Sequence, residues 1–310
     1  MRTFSCKDRD AYMLTTLSPA VSGERFEFDS SAGRLSVYVA GNGPPLMLVH
    51  SINASASAAE VRPLHEHYRA THTVFSIDLP GFGFSDRSDR PYTPRLMTDA
   101  LHALVAQIHL RCGNAPIDAL AVSLSCEYLA RAAMESPAAF CSLALVSPTG
   151  FSGLRKRRAP PGTTRQVKWL YRLLVGPAPG WSDAIFRGLT RPGVIRYFLE
   201  RTWGSKAIDE ILWQYGVLTT KCAGAKFAPL HFLSAHLFSA DIHTVYEALD
   251  TPVWMSHGTR GDFTDYRGKF IIDKKPNWCF SIFAAGALPY FEVETAFNTA
   301  FDTFLKTRMV

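Results

Sequence analysis

The chain has 310 residues, 47% of them hydrophobic and 19% charged, with a net charge of +6; this is the balance of a folded globular protein with a sizeable apolar interior, and it excludes a disordered or fibrous chain. No run of about eighteen uncharged apolar residues spans a bilayer, and no repeat or low-complexity tract appears. Residues 1–10 carry Arg2, Lys7, Asp8, Arg9 and Asp10 with no apolar stretch of signal-peptide type behind them, so a cytoplasmic protein is expected.

The chain opens with residues 25–28 and 35–40, apolar or alternating around Ser30, Ser31 and Gly33, which predicts a β-hairpin. The uninterrupted run Leu46, Met47, Leu48, Val49 predicts a strand buried on both faces of a parallel sheet. A helix is expected over residues 58–69 and a second buried strand over 73–79. Met97, Leu101, Leu104, Val105 and Ile108 fall at helical spacing, and residues 117–122 and 142–146 supply two more strands around a helix over 124–136. This alternation predicts an α/β fold, a mostly parallel twisted sheet with helices on both faces.

After Gly150 the pattern changes to Arg-rich and Trp-rich helical segments, read as a helical cap inserted after the sixth strand. The domain reading is an extension over 1–24, a core made of 25–150 and 236–310, and a basic cap over 151–235. The cap segment holds 14 Lys and Arg against 4 Asp and Glu, the remainder 19 against 23. Such an excess is either a solvated face or a field that draws an anionic substrate, partner or membrane surface. Its cluster Arg155-Lys156-Arg157-Arg158 has no accompanying nucleic-acid motif, so no nucleic-acid partner is expected; an acidic headgroup or acyl-carrier partner is the alternative to a solvated turn. Strands over 252–256 and 278–283 follow, and Val293, Ala296, Phe297, Ala300, Phe301, Phe304 and Leu305 form the apolar stripe of a closing helix.

Six cysteines (Cys6, Cys112, Cys126, Cys141, Cys222, Cys279) lack C-x-x-C spacing and are expected to be buried free thiols. There is no G-x-G-x-x-G after a strand, no P-loop and no metal-ligand spacing, so cofactor-free and metal-free chemistry on a small molecule is expected.

The chemistry-bearing segment is Ala121-Val122-Ser123-Leu124-Ser125, with Cys126 next, between a predicted strand and helix. A nucleophile on a sharp strand-to-helix turn needs small neighbours, usually written G-x-S-x-G. Both glycines are replaced here, yet each position that must be small stays small. In this context the chain resembles the α/β-hydrolase superfamily from about residue 25 to 305. Asp78-Leu79-Pro80-Gly81-Phe82-Gly83-Phe84-Ser85 resembles the family's D-x-P-G-x-G-x-S segment, and His50-Ser51-Ile52-Asn53 its His-Gly-x loop. The resemblance implies Ser123 as nucleophile and the N–H groups of Ile52 and Leu124 as oxyanion donors; His50 is read as structural. His257-Gly258-Thr259-Arg260-Gly261-Asp262 resembles the strand end carrying the triad acid, with one extra residue, so Asp262 is the expected acid and Asp265 the alternative.

The family's histidine would stand in Gly286-Ala287-Leu288-Pro289-Tyr290-Phe291-Glu292, where Ala287 occupies its place, and no histidine follows His257. A serine hydroxyl needs a base to take its proton. Three alternatives stand: His231 or His236 reaches Ser123 from the cap, Tyr290 moves the proton, or hydrolysis is lost while the pocket is kept. The resemblance therefore implies a serine-dependent hydrolase of an ester, thioester or related acyl bond, with a ligand-binding pseudo-hydrolase or a lyase or cyclase as the alternatives.

Overall fold

Continuous apolar runs fold as central strands because both faces of a parallel sheet are covered, and the alternating runs take the edge. The computed structural model describes residues 17–176, 178 and 180–307; Cys6 and the amino-terminal segment discussed above lie outside them. In chain order the strands are β1 (Glu24–Ser30), β2 (Gly33–Ala40), β3 (Pro45–Val49), β4 (Thr73–Asp78), β5 (Ile117–Val122), β6 (Phe140–Val146), β7 (Val253–Gly258) and β8 (Trp278–Phe283). They form one sheet in the order β1-β2-β4-β3-β5-β6-β7-β8, antiparallel at β1/β2 and β2/β4 and parallel from there on. The expected α/β architecture is what the chain adopts.

The helices are α1 (Arg62–Tyr68), α2 (Pro94–Cys112), α3 (Ser125–Glu135), α4 (Lys168–Val175), α5 (Trp181–Leu189), α6 (Pro192–Trp203), α7 (Glu210–Thr219), α8 (Phe227–Leu233), α9 (Ile242–Ala248), α10 (Pro289–Glu292) and α11 (Glu294–Thr307). The expected helix over 58–69 splits into a 3-10 turn, Ala58–Val61, and α1, because Pro63 is accommodated only in a first helical turn.

Successive strand residues point to opposite faces, so the sheet separates two cores. Met47, Phe75, Ala119, Leu143 and Met255 join α2, α3 and α9 on one face; Leu48, Val74, Leu120, Ala144 and Trp254 join α1 and α11 on the other. Trp203, Ile208, Leu212 and Tyr215, from α6, α7 and the turn between them, enter the second core, while Ala228 of α8 enters the first. By contrast Trp169, Leu173, Trp181, Tyr197 and Phe198 of the same segment are exposed.

The expectation of buried thiols fails for most of the described cysteines. Only Cys126 is buried; Cys112, Cys141 and Cys222 are half-buried and Cys279 is exposed. They sit on element surfaces and strand ends, where a small residue of any polarity is tolerated.

Candidate active site

The carboxyl edge of the sheet carries the site, as open α/β sheets require. Ser123 follows β5 with φ 56, a left-handed conformation that costs a non-glycine residue about 1–2 kcal/mol. It is held there by its own N–H donating to Val146 O (2.8 Å) and by Thr149 N–H donating to Ser123 O (3.3 Å). Ser147, after the neighbouring β6, shares the strained conformation at φ 48 and donates its hydroxyl to Ala287 O (2.7 Å). Ser123 is half-buried, and its hydroxyl makes no hydrogen bond to any described residue.

Ser125, standing where the motif usually has its second glycine, is more than a small residue. Its hydroxyl donates to His50 O (2.5 Å), tying the start of α3 to the loop after β3. That loop is fixed at further points. His50 is fully buried; its Nε2 accepts from Leu79 N–H (3.0 Å), so Nδ1 carries the proton and donates to Ser51 O (2.6 Å). Burial lowers its pKa, and the imidazole stays a neutral structural link. Glu60 accepts from Ser51 N–H (2.8 Å) and from the Asn53 amide, whose oxygen in turn accepts from Ser55 N–H (2.8 Å). The N–H groups of Ile52 and Leu124 have no hydrogen-bond partner among the described residues, although both residues are buried.

Below the loop, the 78–85 segment explains its own composition. The buried Asp78 carboxylate accepts from Ala58 N–H (2.8 Å) and Phe84 N–H (3.0 Å), and a Cβ at Gly83 would lie 1.9 Å from its carboxyl carbon. Glycine is the residue that lets the chain fold over that carboxylate.

On the far side of Ser123 the geometry departs from expectation. Asp262 lies at the surface, its carboxylate gripped by both guanidinium arms of Arg201 from the end of α6 (2.7 Å for Nη2 to Oδ1), and its N–H donates to Arg201 O (3.1 Å). Asp265 accepts from Gly153 N–H (2.9 Å) and pairs with Arg267 (2.9 Å), which holds its carboxyl well below the usual range. Neither carboxylate meets a histidine. Ala287 is buried; its N–H donates to Thr202 O (2.9 Å), and a Cβ at the preceding Gly286 would lie 2.5 Å from Trp203 Cα. Trp203, 2% exposed, packs against Phe291 with ring centroids 5.5 Å apart. The end of α6 therefore occupies the ground over the loops after β7 and β8, where an acid and a histidine would have to meet.

The remaining proton carriers are engaged elsewhere. His231 and His236 face each other with Nδ1 atoms 2.9 Å apart, and Tyr171 OH lies 3.3 Å from His231 Nε2. Burial, with His236 alongside, brings the His231 pKa down to about 4. Tyr290 is fully buried and donates to Glu60 O (2.9 Å); burial pushes its pKa far above the ordinary value, and its role is packing. His257, at the end of β7, stacks on Tyr266 at 3.9 Å between centroids and turns Nδ1 to Gly258 O (2.9 Å). Among the described residues no group of three or more His, Cys, Asp or Glu could hold a metal ion, and no helix is long and apolar enough to cross a membrane.

One residue beside Ser123 went unread in the sequence. Glu127, a turn along α3 from Ser123, is fully buried, and burial raises its pKa. It accepts from Thr149 Oγ (2.6 Å), Arg165 Nη2 (2.7 Å) and Ser239 N–H (2.8 Å), so it fastens both stems of the insertion to the elbow helix. Arg131 on the same helix forms a second buried pair with Asp241 (2.6 Å). The signal available was Glu127 and Arg131, two charges four residues apart among apolar residues of the helix over 124–136, on a face that must pack against the core.

A strained serine between a parallel strand and a helix, beside a loop with unpartnered N–H groups, is accompanied by likeness to known proteins. The sequence model of the α/β hydrolase fold matches residues 44–168. The chain is an α/β-hydrolase-fold protein. Similar solved structures include an esterase from Exiguobacterium antarcticum (13% identity, 92% of this chain and 100% of that one, TM-score 0.70). A probable hydrolytic enzyme from Pseudomonas aeruginosa PAO1 is also similar (18% identity, 94% and 96% covered, TM-score 0.69). Among curated proteins, a pimeloyl-[acyl-carrier protein] methyl ester esterase from Xylella fastidiosa (strain 9a5c) is 34% identical over 70 residues, 23% of this chain and 26% of that protein. The match thus spans about a quarter of the curated relative.

Proposed function

We propose that this α/β-hydrolase-fold protein acts on an ester, thioester or related acyl bond through Ser123, with Ile52 and Leu124 N–H groups receiving the oxyanion and the 151–235 segment as a cap over the site. The observation that carries the reading is the combination at one sheet edge of a strained, half-buried serine whose hydroxyl is unpartnered and two buried N–H groups without partners. Leaving buried donors unmade costs about 1–3 kcal/mol each, and strain of this kind clusters at sites that use it. The esterase activity of the similar proteins agrees with this reading.

The chemistry follows from what stands beside Ser123. Its oxygen attacks the acyl carbon, the carbonyl electrons move onto the oxygen facing Ile52 and Leu124, and the serine proton leaves to hydroxide from solvent because no imidazole touches the hydroxyl. The adduct then collapses: the carbonyl re-forms, the bond to the leaving oxygen or sulfur breaks, and that group departs with a proton from water. A second hydroxide attacks the acyl-serine and releases the acid and Ser123. Turnover is accordingly slow, and it rises with pH past about 9 instead of levelling near the ordinary histidine pKa of about 6.5. Asp262 takes no part, since Arg201 holds it.

A second reading, a binding protein that has given up hydrolysis, is favoured by α6 lying over the acid and histidine positions. A fluorophosphonate probe read by intact mass separates the two. One adduct on the parent and none on Ser123→Ala supports the acyl-transfer reading; no adduct after hours at about pH 9, with the protein still folded, overturns it and leaves the binding reading.

A further inference from the structure

The sequence's basic cluster forms one wall of a cavity unrelated to the acyl chemistry. At the root of the insertion a cavity of about 390 Å³ is lined by Arg155, Lys156, Arg157, Arg158 and Arg165, closed by Ala159 and Ala240. The cations are not balanced by the carboxylates around them. Glu247 engages Arg158, Glu127 engages Arg165 (2.7 Å), and Asp241 engages Arg131 (2.6 Å). Arg155, Lys156 and Arg157 have no ion pair among the described residues. The Nε–H groups of Arg157 and Arg165 are buried, and neither has a hydrogen-bond partner. His243 adds no charge here: its Nδ1 accepts from Arg157 N–H (3.0 Å), so the imidazole is neutral and donates through Nε2 to Gly150 O (2.7 Å).

We propose that this cavity is a binding site for a phosphate group, either free inorganic phosphate or the phosphoryl end of a small phosphomonoester. Three cations without counter-ions call for a ligand carrying about two negative charges, and guanidinium forks match the oxygens of a tetrahedral oxyanion. Burial, and then the charge of Arg165 nearby, already disfavour the charged form of Arg157, and an anion in the cavity opposes both. A carboxylate of acetate size neutralises only one cation of the three.

The inference stands apart from the reading of Ser123, and its test uses binding alone. The full chain is titrated with inorganic phosphate, and in parallel with phenyl phosphate, by calorimetry at about 0.15 M salt, where long-range fields are screened. Saturable one-to-one binding is expected, unchanged in Ser123→Ala, weakened about tenfold in Arg157→Gln and several-fold in Arg155→Gln or Lys156→Gln. The two exposed positions guard against a variant that fails to fold. Tighter binding of phenyl phosphate than of phosphate identifies the phosphomonoester as the ligand form, and the reverse identifies the free ion. Arg187→Gln and Arg191→Gln remove the same charge from exposed sites of the insertion that do not line the cavity, and binding is expected to persist in both. Absence of saturable binding of either probe, or equal weakening by Arg187→Gln and Arg157→Gln, overturns the site and leaves a diffuse basic surface.

Discussion

The two sides of Ser123 are built to different ends. Toward β3, the loop over 50–55 is held by bonds that spare two donors: Glu60 holds Ser51 and Asn53, His50 holds Ser51 O, Ser125 holds His50 O, and Ile52 and Leu124 N–H have no partner among the described residues. Toward β7 and β8 the same sheet edge is filled. Thr202, Trp203 and Arg201 bind Ala287, Gly286 and Asp262 by backbone bonds, close packing and an ion pair. One side with unpartnered N–H groups and the other closed teaches that a single sheet edge can leave donors free on one flank of a strained serine while the other flank is given to packing.

This contrast can be broken most severely at Trp203. Trp203→Ala removes a fully buried indole from the second core and is expected to lower unfolding stability by about 3–5 kcal/mol, measured by urea denaturation. If the loss stays below about 1 kcal/mol, the closed side is not a packed structure. Restoring the imidazole by Ala287→His tests the same ground from the other direction. The position is buried with its N–H bound to Thr202 O, so overpacking costs about 1–3 kcal/mol and ester turnover does not rise above that of the parent. A gain in turnover near neutral pH in this variant would show that α6 leaves room for a base.

On the open side, Ser125→Ala leaves His50 O without its donor in a buried setting, a loss of about 1–2 kcal/mol. Because the loop carrying Ile52 is then held less firmly, fluorophosphonate labelling of Ser123 should slow while the fold persists. Equal labelling rates would dissociate Ser125 from the site.

A pH comparison sharpens the picture of the unused histidines. His231 has its pKa lowered to about 4 in the folded state. As pH falls below the unfolded value of about 6.5, the unfolded chain binds a proton that the folded chain refuses, so stability present above that value is lost on acidification toward the folded pKa. His231→Gln is expected to lessen the drop in urea midpoint between about pH 7.5 and 5; an unchanged drop would remove His231 as its source. The smallest effect belongs to Asp262→Asn. An exposed ion pair is worth about 0–1 kcal/mol, and labelling of Ser123 should be unaltered, whereas a large loss of labelling would return Asp262 to the catalytic machinery.

Much of this architecture was legible in the residues. The run Leu46 to Val49 had to be a central strand, and the segment from Asp78 to Ser85 announced its turn because glycines stand where Asp78 folds beneath the chain. Ser123 could be placed despite an imperfect motif, since small size at Ala121 and Ser125 is a local requirement that a sequence displays directly. The absence of a histidine at 287 was equally plain.

What the sequence could not show are the contacts between segments far apart along it. Spacing does not reveal that Asp262 meets Arg201, that Trp203 fills the space above Gly286, that the Ser125 hydroxyl reaches His50 O, or that Glu127 gathers Thr149, Arg165 and Ser239. Local pattern determined the strands, the turn and the position of Ser123, because those follow from residue size and polarity along a few neighbouring positions. The tertiary structure alone decided which charges pair and which donors stay free, because a carboxylate or an N–H group takes whichever partner the packing of the whole chain brings within about 3 Å.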